Sequence, residues 1–233
     1  MISDKKLLAI IPARGGSKRL SRKNILDFAG KPLIAWSIES ALRSKYIDRV
    51  VISTDDQEIA DISKKYGADV PFMRPDELAT DKATSIDVVL HLLEKLETDN
   101  KFYDYIILLQ PTSPLRTTQN IDESVELLQS KNSDSVISVC KAEHSPLWCN
   151  TLPEDDDLCG FIKESTVNKR GQDLEQYYRL NGAIYLCSIN SLKKENAFFL
   201  KSNCLAYKME QEQSVDIDTK VDFMLAEILV ASV

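Results

Sequence analysis

The sequence contains no apolar run that approaches the roughly 20 residues of a membrane-spanning helix. Its N-terminus also lacks the cleavage pattern of a secretory signal peptide. We therefore expect a cytoplasmic protein that does not enter a membrane. The net charge of −7 argues against a general nucleic-acid-binding protein, because such proteins usually present a basic face.

Cysteine and histidine are too sparse and too scattered to suggest a metal or disulfide framework. The five cysteines form no Cys-x-x-Cys pair, and there are only two histidines. Neither a structural zinc site nor a disulfide-stapled fold is predicted. Each cysteine is expected to act as a small buried hydrophobic residue.

Apolar segments of strand length alternate with amphipathic segments of helix length through the first 140 residues. Strands are predicted at 7–11, 49–54, 70–73, 105–109 and 135–139, and helices at 33–42, 56–66, 85–96 and 118–128. Further strands are predicted at 181–187 and 204–209, followed by a helix at 220–230. This alternation predicts an α/β fold with three layers (α/β/α), in which helices cover both faces of a mostly parallel sheet.

The regular pattern breaks between Lys141 and about Arg179. A structureless segment of that length is unusual inside a compact domain. We therefore expect residues 141–180 to be an excursion that packs on something outside its own core, such as a second subunit. Residues 1–140 and 181–233 would then form one α/β domain.

A glycine-containing basic loop follows the first predicted strand, where open parallel sheets bind their ligands. In the segment PARGGSK at 12–18, Gly15 and Gly16 let the backbone approach a ligand, and the cations could neutralise phosphates. The loop matches neither the Walker nor the dinucleotide-binding pattern. Taken alone, a plain exposed turn is an equal alternative. Five cations fall between positions 14 and 23: Arg14, Lys18, Arg19, Arg22 and Lys23.

Three later segments also place polar groups at strand ends. Asp55 and Asp56 are best interpreted as a helix cap. The segment QPTSPLR at 110–116 is held rigid by two prolines, and its alternative is a tight turn with an incidental arginine. Asp216 and Asp218 would point to the same side of an extended chain, which suits coordination of a hard cation through oxygen. An N-cap at Asp218 is an equal alternative, and both can hold.

Taken in order, these segments resemble the acylneuraminate cytidylyltransferases, the CMP-sialic acid synthetase family. The matching blocks are IPARGGSKRLSRKNI at 11–25, AGKPLIAWSIESA at 29–41, VVISTDD at 50–56, RPDELATDKATSID at 74–87, LLQPTSPLR at 108–116, EHSPL at 143–147, RLNGAIY at 179–185 and SVDIDTKVDF at 214–223. The resemblance implies a nucleotide-diphospho-sugar transferase type of fold. It also implies transfer of CMP from CTP to the anomeric hydroxyl of a nonulosonic acid, with release of pyrophosphate.

The resemblance also implies roles for individual residues. Catalysis would rest on Arg14, Lys23, Asp216 and Asp218, with the two aspartates holding Mg²⁺. The nucleotide would contact Ala13, Arg14, Gly15, Gly16, Ser17, Lys23, Asn24, Ser85 and Arg116. The sugar would contact Gln110, Thr112, Ser113, Arg170, Asn181, Tyr185, Phe198 and Phe199, although Phe198 and Phe199 would serve equally well as a core pair. The excursion at 141–180 would form a homodimer with shared active sites.

Two departures from the family pattern concern the sugar. Trp148 stands where sialic acid enzymes usually carry a lysine, and Gly171 stands where an arginine or glutamine is common. We therefore keep legionaminic-type sugars as candidate substrates beside sialic acid. The alternatives are a Kdo cytidylyltransferase, which the blocks at 110–116 and 179–185 disfavour, and a catalytically silent CTP- or sugar-binding module, which the presence of both aspartates disfavours.

Overall fold

The structure is a computed structural model that describes residues 4–231. Its strands are β1 (Leu7–Pro12), β2 (Asp27–Phe28), β3 (Lys31–Pro32), β4 (Arg49–Ser53), β5 (Tyr105–Leu108), β6 (Ser135–Lys141), β7 (Tyr178–Ser188) and β8 (Cys204–Lys208). Its α-helices are α1 (Leu33–Leu42), α2 (Gln57–Lys65), α3 (Ser85–Thr98), α4 (Thr118–Ser130), α5 (Ile189–Glu195) and α6 (Lys220–Ala231).

Six strands form one mixed sheet in the order β4-β1-β5-β7-β6-β8. The pairs β1–β4, β1–β5 and β6–β8 are parallel, whereas β7 runs antiparallel to both β5 and β6. The carboxyl ends of β4, β1 and β5 therefore meet at one edge of the sheet. This edge positions the candidate site.

Helices cover both faces of the sheet, which confirms the predicted three-layer α/β architecture. On one face, Ile38 of α1 and Val125 of α4 pack with Ile107 and other buried residues. On the other face, Leu92 of α3 and Leu192 of α5 pack in a second buried cluster. Because both faces are covered, the central strands are apolar at consecutive positions, as β1 (LLAIIP) shows.

The predicted strand at 70–73 is wrong. Only Asp69 reaches the sheet, through a bridge to Val51. Pro71 has no N–H with which to continue a ladder, so pairing stops there. The predicted burial of every cysteine is also wrong in part. Cys140 and Cys187 are buried, but Cys149 and Cys159 are exposed in the excursion.

The excursion leaves the sheet between the paired ends of β6 and β7. Lys141 is opposite Tyr178, and the Ala142 N–H donates to the Tyr177 carbonyl at 2.9 Å. Residues at both ends of the predicted 141–180 segment therefore belong to the sheet, and only residues 142–177 lie outside it. These residues are mostly exposed, including large apolar side chains at Leu152, Leu158 and Val167. Among the helices of residues 4–231, none has both the length and the apolar character to cross a membrane.

Helix α4 begins with a reciprocal cap that also ties it to the neighbouring strand β8. Thr117 Oγ accepts from the Asn120 N–H at 3.2 Å, and Asn120 Oδ1 accepts from the Thr117 N–H at 2.9 Å. Asn120 Nδ2 donates to the Tyr207 hydroxyl at 3.2 Å. Thr117→Ala should lower the free energy of unfolding by about 1 kcal/mol.

Urea denaturation measures this change, with Thr117→Ser as the matched control because it keeps the hydroxyl. Equal stability of the alanine and serine variants would contradict the capping role.

Candidate active site

A cavity of about 600 Å³ opens beyond the carboxyl ends of β1 and β5. It brings together many of the residues that the sequence analysis selected. Those that line it are Arg14, Ser17, Lys23, Asn24, Ser85, Gln110, Thr112, Asp216 and Asp218. Four segments far apart in the chain therefore contribute to one site.

The glycine loop is fixed by backbone contacts to the end of β4. The Ala13 N–H donates to the Ser53 carbonyl at 2.9 Å, and the Gly15 N–H donates to Asp55 Oδ1 at 3.0 Å. A Cβ at Gly15 would lie 2.7 Å from Asp56 Oδ2, so a larger residue would have to displace the Asp56 side chain. Asp56 also accepts from the Ile59 N–H at 3.0 Å, which confirms the predicted cap of α2.

A side-chain hydrogen bond from Asn24 also holds the glycine loop in place. Asn24 is buried in a short 3₁₀ turn (Lys23–Ile25), and its Nδ2 donates to the Arg14 carbonyl at 3.0 Å. The same turn aims Lys23 at the C-terminal part of the chain. Its Nζ donates to the Ile217 carbonyl at 2.6 Å and to Asp218 Oδ1 at 3.0 Å.

All five cations of the loop region are paired with carboxylates. The pairs are Arg14–Asp81, Lys18–Asp81, Arg19–Asp218, Lys23–Asp218, Arg22–Asp56 and Arg22–Glu58. The loop is thus basic in sequence but nearly neutralised in the fold. The cavity nevertheless holds cations that an anionic ligand could take over from their carboxylates.

The two late aspartates lie on the same side of an extended segment, as predicted. Ile217 between them is fully buried, and its N–H donates to the Thr112 carbonyl at 2.8 Å. The alternative in which Asp218 caps α6 is wrong. The Thr219 hydroxyl accepts from the Asp222 N–H at 3.3 Å, so Thr219 is the capping residue.

The Asp216 carboxylate is suited to a divalent cation. Its Oδ1 is buried and has no hydrogen-bond partner within residues 4–231. Burial raises the pKa of Asp216, a hydrogen bond from Thr112 opposes this, and the charge of Asp218 adds to the rise. No group of three or more acidic, histidine or cysteine side chains in the described range forms a metal cluster. Two carboxylates match Mg²⁺, which usually completes its shell with waters and substrate phosphates.

Several residues selected from the sequence do not line the cavity. Ser113 is fully buried, and Arg116 is 2% exposed. Arg116 donates to the Gln110 carbonyl at 3.2 Å and to the Ala183 carbonyl at 2.9 Å, and burial lowers its pKa to about 9. The arginine therefore braces the turn that presents Gln110.

Asn181 is likewise buried in the protein interior rather than facing the cavity. Its Oδ1 accepts from Ser138 Oγ at 2.6 Å, and its Nδ2 donates to Ser214 Oγ at 2.9 Å. This network joins β7 to β6 and to the segment that carries Asp216.

The aromatic group predicted for the sugar is assembled, but unevenly exposed. The ring centroids of Tyr185 and Phe198 are 5.7 Å apart, and those of Tyr185 and Phe199 are 6.3 Å apart. Phe198 belongs to the core, whereas Phe199 is 52% exposed. Burial raises the pKa of Tyr185, and the nearby charge of Asp216 raises it further. Tyr185 is therefore the member of this aromatic group that lies near the Asp216 carboxylate.

Trp148 and Gly171, the two residues that depart from the family pattern, lie next to each other in the excursion. A Cβ at Gly171 would lie 3.3 Å from the Trp148 ring, so a larger residue would have to displace the indole. Both line a separate cavity of about 280 Å³ with His144. Arg170 beside them is exposed and pairs with Asp173 at 2.9 Å. Within one chain this cavity shares no lining residue with the larger one.

Two residues that line the main cavity, Arg74 and Asp81, and one that lies beside it, Gly182, were not predicted as site residues. Arg74 is 6% exposed, and its Nε donates to Ser53 Oγ at 3.0 Å. Burial lowers the pKa of Arg74 to about 10. Asp81 pairs with two loop cations. Gly182 has a φ of +72°, and a Cβ there would lie 2.8 Å from Gln110 Oε1. Arg74 and Asp81 stand inside the matched block at 74–87 and Gly182 inside the block at 179–185, but the resemblance assigned none of the three a role.

Comparison with known proteins assigns the chain to a family. A family model described as cytidylyltransferase matches residues 8–227. The chain belongs to the cytidylyltransferase family. It is 39% identical over 230 residues to CMP-N,N'-diacetyllegionaminic acid synthase of Legionella pneumophila, with 96% of each chain covered. It is 38% identical over 224 residues to pseudaminic acid cytidylyltransferase of Campylobacter jejuni, again with 96% of each covered.

Other relatives differ in length or only share the fold. N-acylneuraminate cytidylyltransferase of Escherichia coli is 39% identical over 222 residues, which cover 95% of this chain and 51% of that protein. A solved CMP:2-keto-3-deoxy-manno-octonic acid synthetase complexed with CTP superposes with a TM-score of 0.72 at 19% identity, covering 97% of this chain and 99% of that one. At this identity the likeness concerns the fold alone.

The position of Asn181 leads to a prediction about stability. Asn181→Ala removes one hydrogen-bond partner from each of two buried hydroxyls, Ser138 and Ser214, and should lower the free energy of unfolding by about 2 to 4 kcal/mol. Urea denaturation, together with the KM for the sugar, distinguishes a role of Asn181 in stability from a direct contact with the sugar. An unchanged unfolding free energy with a raised KM would show instead that Asn181 contacts the sugar directly.

Proposed function

We propose that this protein transfers CMP from CTP to the anomeric hydroxyl of a nonulosonic acid and releases pyrophosphate. The observation that carries the proposal is the convergence of the basic glycine loop with Asp216 and Asp218 in one cavity. The family membership and the names of the relatives support it. Legionaminic-type, pseudaminic and N-acylneuraminic acids are all nonulosonic acids, so the relatives favour this class of acceptor.

Phosphoryl transfer of this kind depends on alignment and charge neutralisation more than on a nucleophilic side chain. Arg14 and Lys23 line the cavity, where they would neutralise the triphosphate. Asn24 fixes the Arg14 backbone, and Ser85 lines the wall where the nucleoside would lie. We assign Arg116 and Ser113 to the support of this site, since both are buried behind it.

The acceptor sugar would lie on the Asp216 side of the cavity. Gln110 and Asp216 both approach Gly182, where a side chain would collide with Gln110. Tyr185 and the half-exposed Phe199 stand nearby and would pack against an acyl substituent.

We propose Mg²⁺ as the cofactor, held by Asp216 and Asp218. When bound, the ion would neutralise phosphate charge and lower the pKa of the attacking hydroxyl. Lys23, which contacts Asp218, would keep that carboxylate in place.

We also propose that the protein is a homodimer whose excursion completes the active site of the partner. The exposed apolar side chains of Leu152, Leu158 and Val167 support this, because they are concentrated in one segment and apolar patches of that kind mark interaction surfaces. Arg170 does not line the main cavity of its own chain and pairs instead with Asp173. Any contact between Arg170 and the sugar would therefore come from the second copy. The cytoplasmic location stays a prediction.

The central experiment is pyrophosphate release with CTP and a panel of acceptors: sialic, legionaminic, pseudaminic and Kdo acids. We expect release with at least one nonulosonic acid and little with Kdo. Absence of release with all of them, despite CTP binding, would favour a silent binding module.

Asp216→Ala should reduce kcat on the order of a thousandfold, because in this proposal the half-buried Asp216 carboxylate binds the metal that neutralises the phosphates. Thermal unfolding should show no loss of stability, since the variant removes a carboxylate whose Oδ1 has no partner. Asp76→Ala, an exposed residue outside the cavity, is the control. Normal turnover of Asp216→Ala in Mg²⁺ would contradict the metal assignment.

Trp148→Lys should change the ratio of kcat/KM between sialic and legionaminic acids by about tenfold, in favour of sialic acid. The reason is that it restores a cation where the sialic acid enzymes usually carry one. Trp148→Phe keeps an aromatic ring and serves as the control. An unchanged ratio would show that Trp148 only packs against Gly171.

A further inference from the structure

Asp81 occupies an unusual position in the main cavity. It lies in the segment between a 3₁₀ turn (Asp76–Leu78) and helix α3, and its side chain lines the cavity wall. One carboxylate oxygen is 2.8 Å from Arg14 Nη1, and the other contacts Lys18 Nζ. A carboxylate therefore bridges two cations of the glycine loop, in the manner expected of a phosphate group.

The other carboxylates of the site pair with cations that follow the loop at 12–18, Asp56 and Glu58 with Arg22, and Asp218 with Arg19 and Lys23. Asp56 caps α2 through the Ile59 N–H, and Asp218 follows Ile217, whose N–H is bonded to Thr112. Of these four carboxylates, Asp81 is the one that pairs with the two cations inside the loop at 12–18. Within the described residues its carboxylate bonds only to Arg14 and Lys18, and its side chain is 46% exposed. It can leave these cations without breaking a cap or a strand pairing.

We infer that Asp81 holds the triphosphate subsite in the nucleotide-free protein and exchanges with phosphate when CTP binds. The inference rests on the proposed function, because it assumes that the cavity binds CTP. Asp81 would then be a specificity-determining residue that makes binding depend on the number of phosphates. A triphosphate or pyrophosphate carries enough charge to replace one carboxylate at two cations, whereas a monophosphate competes poorly.

The same exchange would act after the reaction. When pyrophosphate leaves, the Asp81 carboxylate can return to Arg14 and Lys18, so the two cations are never left unpaired. Return of Asp81 would therefore favour product release. The contacts are partly exposed, so the competition is moderate in strength and weakens as salt rises.

Calorimetric titration of Asp81→Asn with CTP, CMP and pyrophosphate, in Mg²⁺ buffer without sugar, tests the inference. The Kd for CTP and for pyrophosphate should fall roughly threefold to tenfold, while the Kd for CMP changes less than about twofold. Asp76→Asn removes the same charge from the neighbouring 3₁₀ turn, outside the cavity, and it should leave all three Kd values unchanged.

Two results would overturn the inference. One is weaker or unchanged CTP binding by Asp81→Asn, which would make Asp81 part of the binding surface or a bystander. The other is equal tightening in Asp76→Asn, which would reduce the effect to net charge. Failure of the proposed function is distinguishable, since the unaltered protein would then bind no CTP or release no pyrophosphate.

Discussion

The concentration of positive charge between Arg14 and Lys23 is the constraint on which the site depends. Five cations within ten residues repel one another unless carboxylates are brought to them. The fold supplies those carboxylates from the start of α2, from the segment before α3 and from the segment before α6. Lys23 and Asp218, which are 195 positions apart, are joined in this way. These ion pairs thus hold distant segments of the chain around the loop, where they form the cavity.

Backbone contacts then give the arrangement its precision. The buried amide of Asn24 fixes the loop, the Gly15 backbone meets Asp55, and the Ile217 N–H meets the turn after β5. Arg116 contributes from behind by bonding the Gln110 and Ala183 carbonyls. Groups on rigid strand ends need little reorganisation when a charged ligand arrives, which is the property that electrostatic catalysis requires.

Much of this could be predicted from the sequence, and the limits have physical causes. Buried strands have apolar runs, so the α/β layers followed from periodicity, and two aspartates two positions apart had to share a side once the chain was extended. The direction of β7 could not be predicted, because a strand pattern does not encode its neighbours. Ion pairs such as Arg14–Asp81 and contacts such as Trp148–Gly171 join positions with no local signal. Asn181 matched a family motif, but only the structure showed that its amide is used inside the core.

A crystal structure of the protein with CTP would test the central claim most directly. The account predicts that the triphosphate lies against the Gly15–Lys18 backbone, contacts Arg14 and Lys23, and presents its α-phosphate toward Asp216 and Asp218. A nucleotide bound outside this cavity, or one whose base rather than its phosphates meets the glycine loop, would contradict it.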